Sequence, residues 1–179
     1  MTSTAEIYGD SLYALAEEEN IADVLLSEMR DVDAIIKENP DYLRILREPS
    51  IAKTDRIKLI DDVFSGCIHT YLLNFIKILC ENGTVNEFSA CVHQFTLRYY
   101  EANGISEAYV TSAVELSDNQ KENLRRRLEE ISGRKIILNE KIDETMVAGL
   151  KVELDGKQFD GTVSGRIKSI RKQVSDIIV

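Results

Sequence analysis

The stretch DGTVSGRIKS, residues 160–169, combines two glycines with an arginine, a lysine and a serine, the residue types of a phosphate-binding loop. A Walker loop needs the spacing G-x-x-x-x-G-K-[ST], because its backbone N–H groups must surround the phosphates. Here only three residues separate Gly161 from Gly165, Arg166 stands where the lysine belongs, and Ile167 interrupts the pattern. The spacing speaks against nucleotide binding, and we expect no cofactor.

Two Cys-x-His pairs, Cys67 with His69 and Cys91 with His93, suggest a metal site by residue type alone. Side chains two positions apart on a helix point about 200° apart, so neither pair can close on one ion. Zinc fingers also use other spacings. We therefore expect no metal and place both histidines on a helix surface or core edge. With no G-x-S-x-G motif present, we find no catalytic constellation and expect no enzyme.

The elements that carry these residues fall into two sets. The first part of the chain predicts six consecutive helices, separated by Asn39-Pro40, Pro49-Ser50 and the Asn-Gly pairs at 82–83 and 103–104, because the residue before proline avoids helix and glycine ends one. The predicted helices cover residues 4–19, 21–38, 40–47, 53–64, 68–81 and 85–102.

After Gly104 the apolar periodicity changes to the alternation typical of strands. The pattern predicts a strand from the alternation over 108–115, a capped helix to about residue 131, and strands over 135–142 and 150–154. A hairpin turn at 155–156 then leads into residues 157–159, and a last helix carries apolar residues from 163 to 177. We predict an α+β protein with an N-terminal six-helix bundle, residues 1–104, and a small βαββα C-terminal domain, residues 105–179.

The charge is uneven and excludes several classes of partner. The net charge is −9; residues 1–104 carry 9 basic and 18 acidic side chains, whereas residues 105–179 carry 13 of each. An acidic half argues against nucleic acid and against anionic lipid, which both attract basic surfaces. The chain has no apolar run of the roughly 18 residues that span a bilayer. We expect no signal peptide, no nucleic acid and no membrane insertion.

The predicted fifth helix is apolar around well over half of its circumference. Such a helix is either fully buried or offers a second face to a partner. The first helix shows a main apolar stripe and a thinner second one. The main stripe is Tyr8, Leu12, Leu15 and Ala16, and the second is Ile7, Ser11 and Ala14. If a groove exists, we predict that the second stripe faces Ile76 and Leu79 across a gap that a partner helix fills.

These segments resemble the delta subunit of bacterial F-type ATP synthase, which is similar to mitochondrial oligomycin-sensitivity-conferring protein. The resemblance covers YGDSLYALAEEENIADVLLSEM (8–29), NPDYLRILREPSIAKTDRIKLIDDVF (39–64), NFIKILCENG (74–83) and IDETMVAGLKVELDGKQFDGTVSGRIKSIRKQV (142–174). The last segment carries the most specific motif. The chain departs from the pattern at Ala148, where the first of two glycines is usual, and at Gly9 and Ser11, where alanine is frequent.

The resemblance implies a non-catalytic stator subunit that ties the catalytic head to the peripheral stalk on the cytoplasmic face of the bacterial plasma membrane. It implies that the N-terminal domain holds the N-terminal helix of an alpha subunit between helices one and five, and that the C-terminal domain joins the b subunits. The predicted partner-binding residues are Ile7, Tyr8, Ser11, Ala14, Leu15, Ile76 and Leu79. The motif residues expected to shape the hairpin and its joint to the last helix are Gly149, Asp160, Gly161, Gly165 and Arg166.

Two other functions stay open on the residues alone. One is an RNA-binding helical-bundle factor of the antitermination type, against which the acidic N-terminal half argues. The other is a nucleotide-dependent enzyme, against which the failed phosphate-loop spacing argues. The coupling ion, proton or sodium, also stays open.

Overall fold

The computed structural model describes residues 4–146 and 149–161 as a mixture of helices with a small four-stranded sheet. The helices are α1 Thr4–Glu18, α2 Ala22–Glu38, α3 Pro40–Arg47, α4 Lys53–Phe64, α5 Thr70–Glu81, α6 Phe88–Ala102, preceded by a 3₁₀ turn at Val85–Glu87, and α7 Asp118–Ser132. The strands are β1 Ile105–Ser112, β2 Lys135–Ile142, β3 Leu150–Leu154 and β4 Lys157–Asp160. The predicted last helix, with Gly165 and Arg166, lies outside the described residues.

Two compact units make up the chain, Met1–Tyr99 and Tyr100–Val179. The first unit contains α1 to α5 and most of α6, and each helix turns its apolar stripe inward. The largest fully buried side chains of this unit are Phe88, Phe95, Leu25, Met29, Leu46, Ile60, Leu72, Ile76 and Leu79. The unit therefore has one continuous apolar core.

The start of α5 differs from the prediction by two residues. The His69 ring Nδ1 accepts a hydrogen bond from the backbone N–H of Tyr71 at 3.3 Å, and the His69 N–H donates to a Glu28 carboxylate oxygen at 2.7 Å. This cap fixes His69 in an extended conformation, so α5 begins at Thr70 rather than at residue 68. A capping imidazole is outside the usual set of Ser, Thr, Asp and Asn, which is why sequence inspection missed it.

Gly9 lets α1 approach α6 closely. A Cβ atom at Gly9 would lie 2.8 Å from the Cβ of Gln94 and 3.0 Å from the carbonyl oxygen of Cys91. Neither atom is the free end of a flexible side chain, so the two helices would have to separate to admit a methyl group. Glycine at this position therefore sets the α1–α6 spacing.

Replacing Gly9 with alanine is expected to lower the free energy of unfolding by about 1–2 kcal/mol. Overpacking costs roughly 1–3 kcal/mol, and the better helix propensity of alanine returns about 1 kcal/mol at most. Urea unfolding of the full chain measures the difference. Unchanged or increased stability would contradict the close contact with α6.

A polar contact joins the same two helices at the surface. The Asp10 carboxylate accepts from the Arg98 guanidinium at 2.8 and 2.9 Å and from the Gln94 amide at 2.7 Å. These hydrogen bonds, that of Arg98 foremost, lower the pKa of Asp10 from its usual 3.8 to about 2. The carboxylate therefore stabilises the fold in its ionised form.

The stabilisation from Asp10 is expected to disappear in acid. It should be complete above about pH 4 and be lost as the pH falls through about 2, because the depressed pKa belongs to the folded state. The pair is partly exposed, so we expect a contribution of about 1 kcal/mol or less. Unfolding free energies of wild type and Asp10→Asn, compared from neutral pH downward, should converge at the acid end. A constant difference would contradict this assignment.

The second unit is a sheet in the order β2-β1-β3-β4 with α7 packed on one face. β1 and β2 are parallel and joined through α7, while β3 pairs antiparallel with both β1 and β4. A capping box between Ser117 and Gln120 begins α7, and Gly133, in the left-handed conformation, ends it. The apolar layer consists of Ala108, Val110, Leu116, Leu128, Ile136, Val152 and Leu154.

The segment after the Asp155-Gly156 turn forms the predicted hairpin and adds a strand that the predicted βαββα layout did not count. Both turn residues have positive φ, 49° and 73°, as a tight hairpin turn requires. The turn returns Lys157–Asp160 along β3, where it forms a fourth strand. The described part of this unit is therefore βαβββ.

Candidate functional site

An apolar cleft of about 240 Å³ opens between α1 and α5 in the first unit. Each helix contributes one face with the i, i+3, i+4, i+7 spacing of a helical stripe. The lining residues are Tyr8, Ser11, Leu12 and Leu15 from α1, and Tyr71, Asn74, Phe75 and Ile78 from α5. Ile78 is 45% exposed, a large value for isoleucine on a helix whose neighbouring positions are buried.

Aromatic contacts hold the walls of the cleft in place. The rings of Tyr8 and Phe75 meet edge to face with centroids 6.3 Å apart. The Tyr8 hydroxyl oxygen accepts a hydrogen bond from the Asn82 amide at 3.0 Å. One end of Tyr8 thus packs on apolar surface while its hydroxyl is satisfied, so the cleft is formed before any ligand enters.

Ser11 keeps the α1 wall apolar despite its hydroxyl. Its Oγ donates to the carbonyl oxygen of Ile7, one turn earlier, at 2.7 Å. Because this hydroxyl already has a hydrogen-bond partner in its own helix, it stays paired when another protein covers it and excludes water. Serine at this position is therefore compatible with an apolar groove.

The structure corrects the predicted α5 side of this site. Ile76 and Leu79 are fully buried in the core and do not line the cleft. The cleft face of α5 lies one position earlier in the helical repeat, at Phe75 and Ile78. Because α5 is apolar around well over half of its circumference, periodicity alone could not distinguish these two faces.

On α1 the predicted residues divide into two groups. Tyr8, Ser11 and Leu15 line the cleft, and Tyr8 and Leu15 are half-buried there. Ile7 and Ala14 are exposed and do not line it. Their contact with a partner stays a prediction.

The predicted motif residues within the described range shape the β3–β4 hairpin. Gly149 has φ of 105°, in the region that favours glycine. The Gly161 N–H donates to the Leu150 carbonyl oxygen at 2.8 Å, and a Cβ at Gly161 would lie 3.1 Å from that oxygen. Asp160 ends β4 opposite Lys151. These residues are placed for backbone geometry.

The chemistry available at the cleft is that of apolar contact. Its lining holds no carboxylate, histidine, cysteine or lysine. Across residues 4–146 and 149–161, no group of three or more His, Cys, Asp or Glu side chains could hold a metal ion. Over the same residues, no helix has both the length and the apolar character needed to cross a membrane.

Comparison with known proteins agrees with this architecture. Residues 4–174 match the sequence model of the family described as ATP synthase delta (OSCP) subunit. The chain is 26% identical over 176 residues to ATP synthase subunit delta of Lachnoclostridium phytofermentans, covering 97% of this chain and 96% of that protein. It is 29% identical over 167 residues to ATP synthase subunit delta of Clostridium botulinum (strain Loch Maree / Type A3), covering 93% of each.

A solved structure has the same fold at low sequence identity. A chain in the cryo-EM structure of the Toxoplasma gondii mitochondrial ATP synthase hexamer superimposes with a TM-score of 0.71 at 10% identity. The match covers 96% of this chain and 97% of that one. The fold is therefore shared over nearly the full length of both.

Proposed function

The chain belongs to the ATP synthase delta (OSCP) subunit family and is a peripheral-stalk component of F-type ATP synthase, and we propose that it acts there as a non-catalytic joint between the catalytic head and the peripheral stalk. The apolar cleft between α1 and α5 is the observation that supports this role. Its lining offers apolar contact surface, holds no carboxylate, histidine, cysteine or lysine, and its one serine donates its hydroxyl hydrogen bond to its own helix.

The cleft is proposed to hold the N-terminal helix of an alpha subunit. A groove with apolar walls at helical spacing takes an amphipathic helix, which lays its own apolar stripe between them. Tyr8, Leu12 and Leu15 would form one wall, and Phe75 and Ile78 the other. A joint that resists torque is expected to hold its partner through a large apolar contact between helix and groove.

The second unit is proposed to join the b subunits of the peripheral stalk. The helix expected over residues 163–177 would follow β4 and give this unit a βαβββα layout. In a bacterial cell the assembled chain would lie at the cytoplasmic face of the plasma membrane as a peripheral part of the complex. Both assignments follow the resemblance to bacterial delta subunits.

Calorimetry with the full chain and a synthetic alpha-subunit N-terminal peptide tests the head contact. We expect saturable one-to-one binding with a negative heat-capacity change, the mark of apolar burial. Absence of binding, or binding that survives disruption of the cleft, would refute the proposal that the cleft holds the alpha-subunit helix. Equilibrium dialysis with ATP serves as the companion measurement, and we expect no retention of nucleotide.

Residues 1–104 expressed alone are expected to fold cooperatively. This fragment contains every residue of the first apolar core and the whole of α6. It should show strong helical circular dichroism, one sharp thermal transition and the affinity of the full chain for the alpha-subunit peptide. A fragment with little helix or a broad, non-cooperative melt would show that the units depend on each other.

A further inference from the structure

The outer side of β2 is an unpaired strand edge within the described residues, because β2 stands at the end of the sheet order. The Lys135 N–H donates to the Gly104 carbonyl at 2.9 Å and the Asp143 N–H to the Ser112 carbonyl at 2.9 Å. These odd-numbered residues point toward β1. Since successive residues of a strand direct their N–H and C=O groups to opposite sides, the even-numbered residues of β2 point outward.

The first outward N–H of β2 already has a hydrogen-bond partner, whereas the main-chain groups of the next two outward-facing residues pair with no described strand. The Ile136 N–H donates to a Glu129 carboxylate oxygen at 3.2 Å. Beyond it, Leu138 and Glu140 direct their N–H and C=O groups away from β1. Eight residues make β2 a long strand for an edge, and long free edges pair with other chains unless they are blocked.

A cleft of about 970 Å³ runs along this edge, between α7 and β2. Its charged lining is mainly basic, in a chain whose net charge is −9. The charged lining residues are Lys121, Arg125, Arg134 and Lys135 on the basic side, and Glu129 and Glu140 on the acidic side. The cleft therefore favours an acidic ligand.

Two of the four cations already have carboxylate partners. Lys121 pairs with Glu140 at 3.0 Å, and Arg125 pairs with Glu122 at 2.7 Å. Arg134 reaches only the Ser106 hydroxyl, at 3.4 Å. Neither Arg134 nor Lys135 forms an ion pair with any described residue. These adjacent side chains stand at the start of β2, where they are available to carboxylates entering along the edge.

We propose that the outer edge of β2 binds an extended, acidic segment of another polypeptide, which adds to the sheet as a fifth strand. Its main chain would pair with the outward groups of Leu138 and Glu140, and its carboxylates would meet Arg134 and Lys135. Main-chain pairing supplies affinity in this mode and side chains supply selectivity. The inference does not rest on the cleft between α1 and α5, and it rests on the proposed function only in placing the chain within a multisubunit complex.

The test uses the full chain, ¹⁵N-labelled, and a short soluble peptide of alternating glutamate and threonine. We expect the amide signals of Leu138 and Glu140 to shift on titration and their hydrogen exchange to slow at least about tenfold, because each outward N–H gains a partner. A matched peptide of alternating lysine and threonine should produce neither change. Equal binding of both peptides, or shifts elsewhere with the β2 edge unaffected, would overturn the proposal.

Two variants at one position separate the main-chain contact from the side chain. Glu140→Ala and Glu140→Pro both remove the ion pair with Lys121, but only proline removes the outward N–H. Edge strands tolerate proline when its nitrogen faces away from the sheet. We expect Glu140→Pro to bind the acidic peptide at least about tenfold more weakly than Glu140→Ala. Equal affinities would overturn the strand-addition geometry.

A charge-reversal variant provides an independent measurement. It changes side chains only, so it still tests the proposal if the proline variant fails to fold. The double variant Arg134→Glu with Lys135→Glu should abolish binding of the acidic peptide while keeping the thermal midpoint. Retained affinity, or binding replaced by a concentration-dependent dimer through β2, would overturn the acidic-segment assignment. Affinity for the alpha-subunit peptide, measured on the same samples, should stay unchanged, which distinguishes failure here from failure of the proposed head contact.

Discussion

Replacing Ile78 with glutamate is expected to abolish binding of the alpha-subunit N-terminal peptide while leaving the thermal midpoint almost unchanged. Ile78 is 45% exposed in the free chain and lines the cleft, so we expect its side chain to contribute more to the proposed contact than to the core. A partner helix would desolvate the new carboxylate with no cation to receive it. Losses at such central positions are about 2–4 kcal/mol, or roughly 30- to 1000-fold in affinity.

Val63→Glu is the matched control for this prediction. Val63 lies on α4, is 46% exposed and does not line the cleft. The two variants thus add the same charge at the same exposure, one inside the site and one outside. Calorimetry should detect wild-type affinity for Val63→Glu and none for Ile78→Glu. Equal losses, or none in either variant, would place the alpha-subunit contact elsewhere.

Replacing Ile76 with alanine is expected to have the opposite effect, a large loss of stability with binding retained. Ile76 is fully buried, two residues before Ile78 on the same helix. Removing a buried isoleucine side chain to alanine costs about 2–5 kcal/mol, because a cavity stays where the core cannot close. Denaturant unfolding should report this loss. Peptide affinity, measured at a temperature where the variant is folded, should change little.

The comparison variant is Ile78→Ala. Its stability should fall by less than about 1 kcal/mol, since only part of the side chain leaves water on folding. Peptide affinity should fall instead, because in the proposed complex the same methyl groups would contact the partner helix. If Ile76→Ala lost affinity without losing stability, the face of α5 chosen from the sequence would be right and the face seen in the structure would be wrong.

The helices of the first unit could be predicted because their ends are local events. Pro40 begins α3, and the residues around Gly83 and Gly104 end α5 and α6, each through backbone restrictions that one or two residues impose. The start of α5 was missed by two residues because a histidine cap has no strong local signature. Periodicity succeeds where one face is clearly apolar and fails on α5, whose rotation is decided by neighbours distant in sequence.

The sheet shows the same division between local and distant information. The Asp155-Gly156 turn specifies the β3–β4 hairpin directly, so the fourth strand was available to sequence reasoning. The position of β2 at the free edge could not be predicted in the same way, because it depends on the parallel pairing of β1 with β2, which are separated in sequence by the whole of α7. The basic cleft beside that edge therefore emerged only from the three-dimensional arrangement.

Gly9 has a consequence for the exchange of subunits between species. It faces α6, while Tyr8 and Ser11 on the same helix face the cleft, so we expect a shift of α1 away from α6 to move one wall of the cleft as well. No side-chain change at Gln94 short of glycine removes its Cβ, and the Cys91 carbonyl belongs to the backbone. An alanine at this position would therefore require α1 to stand further from α6, and we expect the cleft to change its width. If the cleft holds the alpha-subunit helix as proposed, hybrid complexes should assemble best when the alpha subunit and this chain come from the same source.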